Sequence, residues 1–183
     1  VDTSATATLT STTIANVSAT SGSGHVNGGA MCLSTDASAT LTSTTIATIS
    51  ATTSGSGSVQ GGAMLLWTGA SATITSTTIA NVSAATPGSG NVRGVAIYLY
   101  TSASATITST TIASVSAATP GSGDVRGVAI YLSTSASATL TFTTITNVSA
   151  ATSGSNDVYG GAMYLDTSAR ATLTSTTIAN VSA

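Results

Sequence analysis

Few residues in this 183-residue chain could do acid-base, nucleophilic or metal chemistry: Asp2, Asp36, Asp124, Asp157 and Asp166, the arginines Arg93, Arg126 and Arg170, and His25 and Cys32. Hydrolysis or elimination on a polysaccharide needs clustered carboxylates for calcium or proton transfer and a cation near the scissile bond. Asp124 and Asp157 come closest to that pattern, preceding Val125 and Val158, with Arg126 and Tyr159 beyond. They read as a local Asp/Arg surface pair rather than a catalytic dyad. His25, the single histidine, stands in a Gly/Ser segment with no partner in sequence and reads as solvated. Cys32 is the single cysteine, which excludes an internal disulfide and a Cys-based zinc site. It reads as a surface or interface side chain rather than a nucleophile. No catalytic residue, metal site or cofactor is expected, and the chain is expected not to be an enzyme.

The wider composition removes further classes. Three Arg against five Asp, with no Lys or Glu, give a net charge of −2. The arginines stand far apart in sequence, so neither a nucleic-acid footprint nor a polybasic membrane patch is present. With 42 % hydrophobic residues and 4 % charged ones, the chain also departs from the composition of disordered segments. No apolar run approaches the roughly 18 residues of a membrane span, so no membrane insertion is expected. The start, Val1-Asp2-Thr3-Ser4, resembles neither an initiator region nor a signal peptide, and the chain reads as one piece of a longer repeat array.

What must position any site is a repeat. The segment Ala-Thr-Leu-Thr-Ser-Thr-Thr-Ile recurs six times with small changes, its apolar third residue falling at Leu9, Leu41, Ile74, Ile107, Leu140 and Leu173. The spacings are 32, 33, 33, 33 and 33 residues. The one missing residue lies between Ala19 and Val26, in the Gly/Ser stretch, which marks that stretch as loop and the Thr/Ile segments as packed structure. Further columns keep the same phase: Ile14, Ile46, Ile79, Ile112, Ile145 and Ile178; Val17, Ile49, Val82, Val115, Val148 and Val181; and Val26, Val59, Val92, Val125 and Val158. Met31, Met64, Ile97, Ile130 and Met163 form another, and Leu33, Leu66, Leu99, Leu132 and Leu165 the last. Mostly β-branched side chains alternating with Thr, Ser or Ala are strand patterning, and no window has a helical period. A unit of about 33 residues with short strands cannot bury its own inner face, whereas stacked units place Ile on Ile and Val on Val. The expectation is an all-β parallel β-helix, or β-solenoid, of about six coils occupying 1–183 as a single segment. At ~4.8 Å per coil it would be about 25–30 Å long. Gly28, Gly61, Gly94, Gly127 and Gly160 are expected at corners with positive φ, and Pro87 and Pro120 fall in loops. On this register Asp36 and Asp166 lie four coils apart, roughly 19 Å, too far to cooperate.

The segments Gly161-Ala162-Met163-Tyr164-Leu165 and Ala171-Thr172-Leu173-Thr174-Ser175-Thr176-Thr177-Ile178-Ala179-Asn180-Val181-Ser182-Ala183 resemble the repeat unit of right-handed parallel β-helix proteins. Such units occur in pectin-lyase-like extracellular proteins and in the polymorphic outer-membrane-protein repeats of surface adhesins. The resemblance implies a right-handed coil and an extracellular or cell-surface location. It leaves function open among shaft, adhesin stalk, passenger domain and lyase. The corner position that is Asn in those repeats is Ser11, Ser43, Ser76, Ser109 or Ser175 here, and Phe142 in one copy.

Three outward features are candidate sites. Each copy carries Thr-[Leu/Ile]-Thr: Thr8 and Thr10, Thr40 and Thr42, Thr73 and Thr75, Thr106 and Thr108, Thr139 and Thr141, Thr172 and Thr174. With the Leu or Ile inside, their hydroxyls form two outward files resembling the flat threonine arrays of ice-binding β-solenoids. Leu65, Tyr98, Tyr131 and Tyr164, flanked by Trp67 and Tyr100, are expected to form an outward stripe for protein contact or for stacking on a sugar. Asn16, Asn81, Asn147 and Asn180 each open an Asn-Val-Ser glycosylation sequon on one corner column, where Thr48 and Ser114 stand in the other copies. The leading expectation is a non-enzymatic structural segment of an extracellular β-helical shaft, stalk or filament. Its partners are further repeats or copies of itself, stacked end to end and packed laterally, with glycans as a further attachment. Ice binding through the threonine files is the alternative, and an adhesin or carbohydrate-binding stalk the next.

Overall fold

A computed structural model describes residues 1–153 and 156–183. Alternation of apolar and hydroxyl residues makes short strands, and the 33-residue period stacks them into four parallel sheets. Sheet I has six strands, Thr6–Thr10, Ser38–Thr42, Ser71–Thr75, Ser104–Thr108, Ser137–Thr141 and Arg170–Thr174. Sheet II also has six: Thr13–Ser21, Thr45–Thr53, Thr78–Ala85, Thr111–Thr119, Thr144–Thr152 and Thr177–Ser182. Sheet III is five two-residue strands, Val26–Asn27, Val59–Gln60, Val92–Arg93, Val125–Arg126 and Val158–Tyr159. Sheet IV is five three-residue strands, Met31–Leu33, Met64–Leu66, Ile97–Leu99, Ile130–Leu132 and Met163–Leu165. One turn of chain visits sheets I, II, III and IV in order, so the protein is a parallel β-solenoid of five full turns and the first half of a sixth.

Register is unbroken. Leu9 pairs with Leu41, Leu41 with Ile74, Ile74 with Ile107, Ile107 with Leu140 and Leu140 with Leu173. Inward columns fill a continuous core in which Leu41, Ile46, Ile74, Ile79, Ile107, Ile112, Leu140 and Ile145 are fully buried. In the last coil Leu173, Ile178 and Val181 occupy the same columns but are 40–44 % exposed, since no further coil lies over them within this chain.

Corners are made by residues in the left-handed region, and they too form columns. Ser11, Ser43, Ser76, Ser109, Phe142 and Ser175, with φ of 49–51°, turn the chain from sheet I to sheet II. Within sheet II, Asn16, Thr48, Asn81, Ser114, Asn147 and Asn180, with φ of 52–57°, insert a kink between the inward Ile and the inward Val. Glycines make the bend between sheets III and IV: at Gly94 φ is 55°, and a Cβ there would strike the carbonyl of Ile97. Only a residue without Cβ takes that bend without displacing backbone. The Gly/Ser loops stack equally closely, since a Cβ on Gly90 would strike the carbonyl of Gly57.

Buried threonines hold the corner carbonyls. Thr44, Thr77, Thr110 and Thr143 are each 1 % exposed. The Thr143 hydroxyl donates to Thr141 O at 3.3 Å and lies 3.2 Å from Ile107 O of the preceding coil. Thr110 repeats this with Thr108 O at 3.0 Å and Ile74 O at 3.5 Å. A second inward set caps the loops, Thr53 donating to Gly57 O at 2.8 Å and Thr86 to Gly90 O at 2.7 Å. These hydroxyls thus meet their partners without interrupting the apolar stack, whereas the buried Oγ1 of Thr119, next in the second set, has none among the described residues.

Candidate functional site

Sheet I presents the threonine files as a consequence of its alternation. Ala39 and Leu41, Ala72 and Ile74, Ala105 and Ile107, and Ala138 and Leu140 face the core, so the intervening hydroxyl residues face solvent. Thr8, Thr40, Thr73, Thr106, Thr139 and Thr172 are exposed and pair in register along all six strands. In the second file Thr10 and Thr174 are exposed, while Thr42, Thr75, Thr108 and Thr141 are half-buried. Two side chains interrupt the hydroxyl surface: Arg170 at the start of the last strand and Phe142, 64 % exposed, at one corner.

The tyrosine stripe differs from its expected exposure. Leu65, Tyr98 and Tyr131 do point away from the main core, but they are 0 %, 1 % and 3 % exposed and form a second apolar cluster. Only Cys32, Trp67, Tyr100 and Tyr164 around them retain partial access. The physical reason is a re-entrant angle between sheets III and IV, across which outward side chains touch. Tyr159 of sheet III and Tyr164 of sheet IV have ring centroids 5.7 Å apart. Within the angle the rings stack from coil to coil, Tyr98 on Tyr131 at 4.8 Å and Tyr131 on Tyr164 at 5.5 Å. Trp67 and Tyr100 stack at 4.7 Å along the rim. Outward polarity in a strand does not mean exposure when the next sheet folds back over it.

A polar network closes this flank in the fourth and fifth coils. Arg126 pairs with Asp124 at 3.2 Å, as the two-residue spacing in sequence suggested, and its guanidinium lies 5.1 Å from the Tyr159 ring centroid. Tyr131 donates its hydroxyl to Asp166 at 3.0 Å, and Tyr159 donates to Asp157 at 2.8 Å. The Tyr131 bond, opposed by burial and joined by the Thr167 hydrogen bonds, holds the Asp166 carboxyl below its usual value of 3.8. Burial, followed by the Tyr131 neighbour, pushes the Tyr98 phenol from 10.0 up to about 12. Burial also raises the Cys32 thiol above its usual 9.0, which favours the unreactive protonated form.

His25 has a partner that the sequence did not disclose. Its Nδ1 accepts from Ser58 N at 2.9 Å, and it begins a ladder. Ser58 Oγ accepts from Asn91 N at 3.0 Å, Asn91 Oδ1 from Asp124 N at 2.8 Å, and Asp124 Oδ1 from Asp157 N at 3.3 Å. The signal was present in outline: every copy with this position, 25, 58, 91, 124 and 157, carries a side chain able to accept a hydrogen bond.

The sequon asparagines Asn16, Asn81, Asn147 and Asn180 are all exposed at the kink of sheet II, and Asn180 Nδ2 donates to Asn147 Oδ1 at 3.2 Å. Among the described residues no group of three or more His, Cys, Asp or Glu side chains is placed to hold a metal ion. Asp36 and Asp166 lie at opposite ends of the rod, following the Met31–Leu33 and Met163–Leu165 strands. No protein-family model, curated protein or solved structure matches the chain.

Proposed function

We propose that this chain is a non-enzymatic structural segment of an extracellular β-helical shaft, stalk or filament. The observation that carries the reading is the unbroken register of all four sheets, in which each coil repeats the contacts of the one before it. A solenoid with interchangeable coils lengthens without changing cross-section, because stability is a sum of coil and nearest-neighbour contributions. The resemblance to pectin-lyase-like and adhesin repeats supports the same reading, as does a surface of neutral hydroxyls interrupted by few charges. Its partners are further repeats or copies of itself. Negative-stain images of the native material test this: rods whose length grows by ~4.8 Å per added coil are expected, and isolated globular particles overturn it.

Ice binding is the second reading, favoured by one observation. The file Thr8, Thr40, Thr73, Thr106, Thr139 and Thr172 is exposed along its whole length. Its side chains would lie ~4.8 Å apart between coils and ~6.5–7 Å from the second file along each strand. Thermal hysteresis in the purified chain, abolished by Thr73→Lys or Thr106→Lys, decides for this reading. Its absence at millimolar protein decides against.

A further inference from the structure

The kink of sheet II carries every glycosylation sequon of the chain. Of seven asparagines, Asn16, Asn81, Asn147 and Asn180 stand in Asn-Val-Ser, and all four fall in one column. The Val belongs to an inward column, so the Asn and the Ser two residues on are both exposed: Asn16 with Ser18, Asn81 with Ser83, Asn147 with Ser149 and Asn180 with Ser182. The strands of this sheet contain no charged and no aromatic residue, so nothing bulky on their own sheet stands beside the amides.

Backbone conformation does not account for these asparagines. The left-handed region favours Asn among residues with a Cβ. The corner between sheets I and II has nearly the same φ, 49–51° against 52–57° at the kink, yet it holds Ser five times, Phe142 once and Asn never. An Asn at that corner would open a sequon in every copy, because Thr always stands two residues on, as Thr13 does after Ser11 and Thr144 after Phe142. At the kink the sequon is broken in the second and fourth coils, by Thr48 and Ser114. Thr48, with φ of 56°, is β-branched and suits that region less well than Asn. Asn is therefore absent where it would place sequons on all six coils, and present where they fall on the first, third, fifth and sixth.

That spacing fits the width of a sugar. Rings joined to adjacent coils would start ~4.8 Å apart, closer than the breadth of a pyranose with its hydroxyls, whereas alternate coils give about 10 Å. Asn147 and Asn180 alone are on neighbouring coils, and there Asn180 Nδ2 donates to Asn147 Oδ1 at 3.2 Å. That pair has room for one glycan.

We propose that this column is N-glycosylated, at Asn16, at Asn81 and at one of Asn147 and Asn180, giving the rod a single row of sugar chains along sheet II. The donor is an oligosaccharide carried on a polyprenyl diphosphate. Asn Nδ2 forms a bond to the anomeric carbon and loses one proton, while the bond from that carbon to the diphosphate oxygen breaks and its electron pair leaves with the diphosphate. The proposal rests on the extracellular reading, since such donors serve the secretory route. Its consequence is directional: lateral contacts between rods are kept off the sheet II flank and left to the other faces.

The native protein is treated with an amidase that releases N-glycans, in heavy-oxygen water. Each former site becomes a labelled Asp, so the mass of the intact chain counts the sites and fragment spectra place them. Label at Asn16, at Asn81 and at one of Asn147 and Asn180 per chain is expected. No label at Asn16 or Asn81 overturns the proposal, and label at both Asn147 and Asn180 in one chain overturns the sharing. Unlabelled protein that still forms rods removes the glycans and leaves the shaft reading; labelled protein in isolated globular particles does the reverse. Thr48→Asn, which completes a sequon in the second coil, tests the spacing in secreting cells. With glycosylation blocked its melting temperature should equal or exceed that of the unsubstituted chain, and with glycosylation active its secreted yield should fall several-fold. Full yield with position 48 labelled beside Asn16 and Asn81 overturns the spacing.

Discussion

Tyr98 shows how a single side chain takes its chemistry from the stack. Enclosed by Tyr131, Tyr100 and the apolar cluster, its phenol reaches about 12 instead of 10.0, with burial the main cause. A folded-state value above the unfolded one means that the neutral phenol is favoured by folding. Its contribution is therefore complete below pH 10 and lost as pH rises from 10 to about 12, a loss of about 2–3 kcal/mol over that window. Alkaline unfolding followed by circular dichroism should show that loss, and Tyr98→Phe should reduce it by most of this amount. Asp166 behaves in the opposite sense. Tyr131 holds its carboxyl below 3.8, so the stability from this bond is present above the ordinary carboxylate range and disappears as pH falls beneath it. Tyr131→Phe should return the Asp166 titration, read by carboxyl NMR shifts, toward 3.8; an unchanged midpoint would show that the hydroxyl does not govern it.

At the scale of the element, two kinds of threonine must be separated. Thr110 is 1 % exposed, donates to Thr108 O at 3.0 Å and lies 3.4 Å from the amide of Thr77, whereas Thr73 is exposed on sheet I. Thr110→Val should cost about 1–2 kcal/mol because carbonyls within the corner lose their donor. Thr73→Val should change stability by less than about 0.5 kcal/mol. Urea melts of the two variants distinguish them, and equal costs would refute the division. How far the elements were legible in sequence follows from similar reasoning. Inward Ile14 and Val17 are three residues apart, which a straight strand with a period of two cannot satisfy. The kink at Asn16, with φ of 57°, supplies the odd residue, so the spacing encoded the bend. The burial of Tyr98 was not encoded in that way. Alternation tells which side of a strand a residue occupies, but the angle between sheets III and IV arises only when the whole turn closes. The ladder from His25 to Asp157 was hidden for another reason: its members, His, Ser, Asn and Asp, share an acceptor atom rather than a residue type.

At the scale of the whole molecule, translation by one coil is the governing operation, and it explains the scarcity of charge. In-register stacking sets every side chain ~4.8 Å from its counterparts, so a charge repeated in successive copies becomes a ladder of like charges. Asp124 and Asp157 are such neighbours, and each is accompanied by a compensating group, Arg126 for the first and the Tyr159 hydroxyl for the second. Arg93 and Arg126 are stacked likewise, with one carboxylate between them. Elsewhere Thr and Ser occupy the outer columns and stack at no electrostatic cost. The triple variant Thr40→Lys, Thr73→Lys, Thr106→Lys would place three ammonium groups on adjacent coils of an exposed file. Each lysine alone should be tolerated within about 0.5 kcal/mol, because an exposed strand residue touches little. The three together should destabilise by more than the sum of the single effects, since repulsion exists only between rungs. Because the Debye length falls from about 30 Å at 0.01 M salt to about 3 Å at 1 M, the excess should be largest at low ionic strength and vanish at high. Melting temperatures of the single and triple variants across that range measure it. Strict additivity at low salt would show that the coils do not sense one another's charge, and would remove the like-charge ladder as the reason for this neutral surface.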